Sequence, residues 1–426
     1  MPKVTPSSEW FRSRSYLHFD QPIGEKKALK LVTSFKRVKE HSFYPLISYE
    51  VTSKKLKKDA SGKLNVTLKE RPIAYSAHKD GHIYAYYAQI LSKLYEEQLL
   101  KYGLEGCVLA FRSLGKSNID FAHEAFTQIK ESGECSAVAL DFSKFFDTLD
   151  HSILKQSWCS LLDVQRLPDD HFNVFKSITK FSKVDRTQLY KKMSISINNP
   201  KNGRIKVCKA KDFRELVRGG GLIFTNKNNY GIPQGSPISA LLSNIYMLEF
   251  DKAMKTYVDI HGGYYYRYCD DMLFIVPTAL KKKVAGFAAK EVKKLKVALN
   301  PDKTELRTFR KVANVLSSDQ PLQYLGFIFD GENAFIRSSS LARYSEKMRR
   351  GVNLAKQTMN KYNNIRSGLK LDEKDLYKKK LYSRYTHLGG RNFVTYGLRA
   401  ARKMDSKSIR KQLKPLWRRF HEEMQK

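Results

Sequence analysis

Two short apolar and aromatic runs, Tyr264 to Arg267 and Met272 to Val276, flank the tetrad Tyr268-Cys269-Asp270-Asp271. That pattern predicts a strand, a tight acidic turn and a second strand. A further apolar run, Ala137-Val138-Ala139-Leu140, stops at Asp141 and predicts a buried strand that delivers an acid at its end. Between residues 83 and 101 apolar positions recur at helical intervals, with Ile83, Tyr87, Ile90, Leu94 and Leu99 among them, so a helix is expected there. After Gly331 the period is again helical: Leu341, Tyr344, Met348, Val352, Ala355, Met359 and Tyr362 follow at steps of three and four. A separate C-terminal helical lobe is the expected result. Gly219-Gly220-Gly221 and residues 226–229 predict a mobile loop before Tyr230, and Asp59-Ala60-Ser61-Gly62 a turn after the basic cluster Lys54-Lys55-Leu56-Lys57-Lys58.

The tip of the acidic hairpin is where chemistry is expected. Like charges about 4 Å apart repel by roughly 4 kcal/mol at an effective dielectric near 20, so two adjacent carboxylates bring nothing to a fold by themselves. A hard divalent cation turns the pair into a site, because such ions take carboxylate oxygens. Phosphoryl transfer from a nucleoside triphosphate uses two such ions about 4 Å apart, and two hairpin aspartates do not complete both coordination spheres. Asp141 is the candidate third carboxylate. Its bland alternative is a helix cap for the segment that follows it.

Charge points to the partner. The chain has 426 residues, with 78 Lys and Arg against 42 Asp and Glu, a formal net charge of +36. The excess is spread from Lys26 to Lys426, whereas basic membrane binders concentrate it in one amphipathic helix or juxtamembrane run, so nucleic acid is favoured. From residue 341 to the end there are 24 basic and 7 acidic residues. Within that stretch tyrosines alternate with basic residues in Tyr377-Lys378-Lys379-Lys380-Leu381-Tyr382 and Arg384-Tyr385. Cations there would neutralise phosphates while rings stack on bases, which makes Lys378, Lys379, Lys380, Arg384 and Tyr385 candidate nucleic-acid contacts. The five cysteines, at 107, 135, 159, 208 and 269, show neither C-x-x-C spacing nor an even number, which excludes the usual zinc modules and disulfide frameworks. A reducing cytoplasm and no membrane association are expected, since no signal-like region or run of roughly 20 apolar residues occurs.

With these motifs in order, the chain resembles a reverse transcriptase. The strand ending at Asp141 resembles the family's first palm motif, Tyr230-Gly231-Ile232-Pro233-Gln234-Gly235-Ser236-Pro237-Ile238-Ser239 its Pro-Gln-Gly motif, and Tyr268-Cys269-Asp270-Asp271 its Y-x-D-D box. Further matches are Leu299-Asn300-Pro301-Asp302-Lys303-Thr304, Tyr324-Leu325-Gly326-Phe327, Arg71-Pro72-Ile73 and Ala110-Phe111-Arg112-Ser113. The resemblance covers roughly residues 65 to 335 and implies an α+β right-hand polymerase. Its expected parts are fingers over 1–135 with a basic N-terminal extension, a palm over 136–335 interrupted by an insert at about 155–229, and a helical, basic thumb over 336–426.

The resemblance also implies roles. Asp141, Asp270 and Asp271, with the carbonyl of Phe142, would hold two Mg²⁺ ions, for which Mn²⁺ can substitute. Phe146 would exclude a 2′-hydroxyl and so favour deoxynucleoside triphosphates. Gln234 and Gly235 would line the incoming nucleotide, the glycine by letting backbone approach it. Arg71 would clamp the triphosphate, and Lys303 would stand near the leaving pyrophosphate as a fourth catalytic residue. Within the family, the length, the Cys of the Y-C-D-D box and the long insert look most like the type-two defence-associated enzymes of bacteria. That likeness implies antiphage defence, with a structured non-coding RNA as bound template and complementary DNA as product. An intron-type or diversity-generating enzyme, and a non-catalytic RNA-binding protein on a palm fold, are the alternatives. The oligomeric state is left open.

Overall fold

The computed structural model describes residues 9–58 and 64–426, so the turn expected at 59–62 lies outside the described residues. After two short helices, Glu25–Val32 and Phe35–Lys39, comes a long antiparallel hairpin, β1 (Leu46–Lys58) against β2 (Leu64–Tyr75). Two helices follow, His78–Lys101 and Asn118–Ser132, and then β3 (Cys135–Asp141). The first of them is the helix expected over 83–101, begun one turn and a half earlier at His78. Short strands β4 (Ser182–Asp185) and β5 (Ile223–Thr225) return to that hairpin and complete a sheet ordered β2-β1-β4-β5. Strands β6 (Tyr264–Tyr268), β7 (Asp271–Val276), β8 (Glu305–Val312) and β9 (Val315–Ser318) join β3 in a five-stranded sheet ordered β6-β7-β3-β8-β9. A three-stranded sheet, β10 (Leu322–Tyr324), β11 (Phe327–Phe329) and β12 (Ala334–Ile336), leads into the C-terminal helices.

The central sheet is apolar on both faces because a core lies on each. Val138 and Leu140 of β3, with Met272, Phe274 and Val276 of β7, enter one core; Ala137, Leu273 and Ile275 enter the other. Period-two alternation along a strand produces this division. A continuous apolar run such as Ala137–Leu140 is therefore the signature of a strand covered twice. β3 ends, and β7 begins, with an acid.

The second core joins the C-terminal helices to the central sheet. Tyr344, Met348 and Val352 of helix Ser338–Gly368 share this core with Phe327, Phe329 and Ile336, with Ala122, Phe126 and Ile129 of helix Asn118–Ser132, and with Ala137, Leu273 and Ile275 of the central sheet. The helix follows its apolar period only over its first half. Tyr362 is 60% exposed, and the buried position is Asn363, whose amide bonds the Lys374 carbonyl at 3.0 Å.

The segment expected as an insert is packed into two of the cores. Residues 155–229 carry Trp158, Val174, Phe175 and Ile178 into the first core. β4 then pairs in parallel with β1, and Leu189, Tyr190, Val207, Phe213 and Val217 build a third core with Leu17, Phe19 and Ile47. The segment is thus half of the N-terminal sheet's support, which a chain interrupted by an appendage would lack. Its loop before Tyr230 is tied down: Asn226 is buried and donates to the carbonyls of Thr179 and Tyr230 at 2.9 and 3.1 Å. Among the described residues no helix is long and apolar enough to cross a membrane.

Tyr385, expected on a nucleic-acid surface, is 6% exposed, whereas its neighbours Lys378, Lys379, Lys380 and Arg384 face solvent. Its ring lies beside Gly351, where an added Cβ would come 2.0 Å from the phenolic oxygen, and its carbonyl accepts a bond from the Tyr344 hydroxyl. Tyr385 lies four residues after buried Leu381 and so shares its face, while Arg384 beside it points to solvent. Truncating a buried aromatic costs about 3 to 5 kcal/mol, and an exposed lysine within about 0.5 kcal/mol. Denaturant unfolding should accordingly show Tyr385→Ala strongly destabilised and Lys379→Ala unchanged.

Candidate active site

The antiparallel pairing of β3 with β7 sets Asp141 directly opposite Asp271. Asp270 lies in the turn between β6 and β7, next to Cys269, which adopts φ +60°. Three carboxylates expected from distant parts of the sequence are thereby brought to one end of the central sheet. Past Asp141 the chain is fastened to the segment before Lys303. The Asn300 amide donates to the Asp141 carbonyl at 2.7 Å, the Ser143 amide to the Ala298 carbonyl at 2.8 Å, and Phe142 bridges Leu299. The Phe142 ring is buried and stacks on Phe145 at 4.8 Å, so its backbone is held from both sides. The short turn Pro301–Lys303 then delivers the Lys303 ammonium onto Asp141 as an ion pair.

Crowding of the acids is visible in their chemistry. Asp271 is partly exposed as a residue, yet its carboxyl is desolvated, hydrogen-bonded to Asp141 and within the field of Asp270, which together raise its pKa to about 7. A shared proton and one ammonium therefore compensate the cluster. Among the described residues no three acidic, histidine or cysteine side chains stand already closed around a single ion. The donor set nevertheless fits a hard divalent cation, since it is all carboxylate and holds a proton against its own repulsion.

The Pro-Gln-Gly segment is locked to two other elements. Ile232 and Gly231 donate to the carbonyls of Phe146 and Leu149 at 2.9 and 2.8 Å, which ties it to the helical turn Phe145–Thr148. The Ala74 amide of β2 donates to the Gln234 carbonyl at 2.7 Å. Gly235 has φ +108°, and a Cβ there would come 2.6 Å from the Ala74 carbonyl. The close approach that demands glycine here is to β2, where a nucleotide had been expected. Half-buried Gln234 and Phe146 thus share a backbone frame with Asp141.

Arg71 is exposed on β2, and the two-residue period places Lys69 on its face. Burial, Arg71 and Lys303 lower the Lys69 pKa, while the charges of Asp141 and Asp270 oppose that shift. Lys69 therefore belongs to the site, although the sequence reading passed over it. The signal was present in strand alternation from Arg71. Lys378, Lys379, Lys380 and Arg384 stand exposed on the helix Lys378–Tyr385.

The raised pKa carries a stability consequence. Folded Asp271 keeps its proton to about 7, whereas its ordinary value is 3.8, so between these values the folded chain binds more protons than the unfolded one. Stability of the metal-free protein should fall as pH rises through that window. Thermal melts in chelator from pH 5 to 8 should show this slope, Asp271→Asn should flatten it, and divalent cation at pH 8 should recover the lost midpoint.

Comparison with known proteins agrees with this geometry. The family model described as reverse transcriptase (RNA-dependent DNA polymerase) matches residues 78–329, more than half of the chain. No curated protein sequence matches. Among solved structures, apo telomerase from Candida tropicalis aligns at 13% identity and a TM-score of 0.42, covering 75% of this chain and 53% of that one. Telomerase from Candida albicans in complex with a TWJ fragment of telomeric RNA aligns at 11% identity and a TM-score of 0.41, over 91% and 64%. A Candida tropicalis telomerase truncated from its C-terminal domain aligns at 12% and 0.39, over 68% and 57%. The chain thus spans between about half and two thirds of these telomerase chains. The ordered acids, the Pro-Gln-Gly frame and the match over residues 78–329 place this chain in the reverse transcriptase family, on a right-hand polymerase fold.

Proposed function

We propose that the chain is an active RNA-directed DNA polymerase that copies a bound, structured non-coding RNA into complementary DNA, and that it serves antiphage defence in the bacterial cytoplasm. The observation that carries the catalytic part is the register of β3 on β7, which sets Asp141 against Asp271 with Asp270 in the adjoining turn. A non-catalytic RNA-binding protein has no use for a cluster that must hold a proton to persist.

In this reading Asp141, Asp270 and Asp271, with the Phe142 carbonyl, hold two divalent cations, Mg²⁺ with Mn²⁺ as substitute. Such ions supply activation of the attacking hydroxyl and charge neutralisation at the leaving phosphates. The reaction joins the primer 3′-oxygen to the α-phosphorus of a deoxynucleoside triphosphate, releases the hydroxyl proton and expels pyrophosphate. Arg71 and Lys69 on one face of β2 supply cations for the triphosphate. Lys303, which pairs with Asp141 here, stabilises the departing pyrophosphate once the acids have another counter-charge. Phe146, held by the Ile232 amide on its carbonyl, bounds the sugar and excludes a 2′-hydroxyl.

Affinity for RNA is assigned to the net charge and to the exposed Lys378, Lys379, Lys380 and Arg384. Changing the three lysines to Ala should weaken RNA retention and make the log–log salt dependence shallower by about 2. Unchanged binding at moderate salt would remove this helix from the RNA surface. The template assignment is tested by recovering the tagged protein from bacterial cells and sequencing its bound RNA and DNA, beside an Asp270→Ala/Asp271→Ala control. One dominant small RNA, with matching DNA only in the unaltered protein, is the expected result. DNA copied from many unrelated transcripts would sink the dedicated template, and RNA without DNA even after phage challenge would leave a binding protein.

A further inference from the structure

Beneath the acidic turn lies a charge pair with no access to water. Arg267 and Asp251 are each 0% exposed. The Arg267 Nε donates to Asp251 Oδ1 at 2.7 Å and its Nη2 to Oδ2 at 2.5 Å, a bidentate pair. The Tyr265 hydroxyl donates to the same Oδ1 at 2.7 Å. The remaining arm, Nη1, donates to Asn244 Oδ1 at 3.0 Å and to the carbonyl of Cys269 at 3.1 Å. Asn244 in turn donates to the Ala110 carbonyl at 2.9 Å. The Arg267 backbone is fixed as well: its amide donates to the Cys107 carbonyl at 2.8 Å, and its carbonyl accepts from the Leu109 amide at 2.9 Å.

A buried ion pair is poor support for stability, since apolar residues of similar volume commonly serve as well. Its value here is geometric. Cys269 is a non-glycine residue at φ +60°, a conformation such residues seldom take unless their surroundings impose it. The Arg267 side chain caps its carbonyl, and the next residue is Asp270. Asp251 orients the guanidinium from helix Leu248–Ile260, and Asn244 does so from helix Ser239–Tyr246, which follows the Pro-Gln-Gly segment.

We infer that Arg267 is the positioning residue of the metal site: oriented by Asp251 and Asn244, it holds the Cys269 carbonyl and so sets the turn that presents Asp270 and Asp271 to divalent cations. It touches neither substrate nor cation. The inference rests on the proposed reading that these acids bind metal.

The discriminating variant is Arg267→Lys, which keeps a cation beside Asp251 but cannot span Asp251, Asn244 and the Cys269 carbonyl together. Mn²⁺ affinity, measured by electron paramagnetic resonance titration, should fall about tenfold or more. The half-saturating Mg²⁺ concentration for nucleotide incorporation should rise by the same factor, with template–primer affinity unchanged. A purely structural role would lower the melting temperature and the active fraction without moving either metal constant. If Arg267→Lys does not fold, Asp251→Leu/Tyr265→Phe/Arg267→Met removes the pair and the hydroxyl together and is read in the same way. Wild-type Mn²⁺ affinity in a folded variant overturns the inference, provided Asp270→Ala/Asp271→Ala abolishes binding. Equal binding by the wild type and Asp270→Ala/Asp271→Ala overturns instead the reading of the acids as metal ligands, and the inference with it.

Discussion

The pairing of β3 with β7 forces Asp141 and Asp271 into adjacent backbone positions, and their mutual repulsion is the constraint around which the rest of the site is arranged. A carboxyl cluster at the end of a sheet persists only with compensation. Two forms of it are in place, a proton retained on Asp271 and the Lys303 ammonium on Asp141. In the proposed reading both give way to divalent cation, so the architecture that makes the site costly by itself is also what makes it receptive. The apolar strands bear that cost. They are buried on both faces, and slipping the register by one residue would move Val138 and Leu140 out of one core and Ala137 out of the other.

Around this centre the chain uses backbone hydrogen bonds to link motifs that are far apart in sequence. The turn after Asp141 is bonded to the Pro-Gln-Gly segment, that segment to β2, and the residues before Lys303 to Asp141 itself. Gly235 permits the tightest of these joints, against Ala74. Side-chain positions at the site are thus set by neighbours that carry no functional group of their own. Arg267 extends the same logic below the hairpin, where a desolvated charge serves orientation better than it serves stability.

Much of this was legible in the residues. The strand–turn–strand at Tyr268-Cys269-Asp270-Asp271 and the run ending at Asp141 follow from local alternation, and the order of the motifs from their spacing. The helical period after Gly331 located the long C-terminal helix. Other placements were not legible, for physical reasons. Tyr385 sits among lysines in sequence but turns inward on its helix, toward the space that Gly351 leaves. Residues 155–229 read as an interruption because β4 pairs with a strand more than a hundred positions away, with the Ser48 hydroxyl bonded to the Val184 carbonyl. Lys69 carries no motif, and only the alternation counted from Arg71 pointed to it.

The sequence by itself determined what depends on near neighbours: the period of each element, the acids at the strand ends, the strongly basic surface and the family's motifs in order. Tertiary structure alone decided which elements share a core and which face of each helix is covered. It also decided that Lys303 pairs with Asp141, that Lys69 lies within the field of the acids, and that a buried Arg267 lies under the turn. The reason is that periodicity records whether a position is buried, while the identity of its partner is set by packing between segments separated by long stretches of chain.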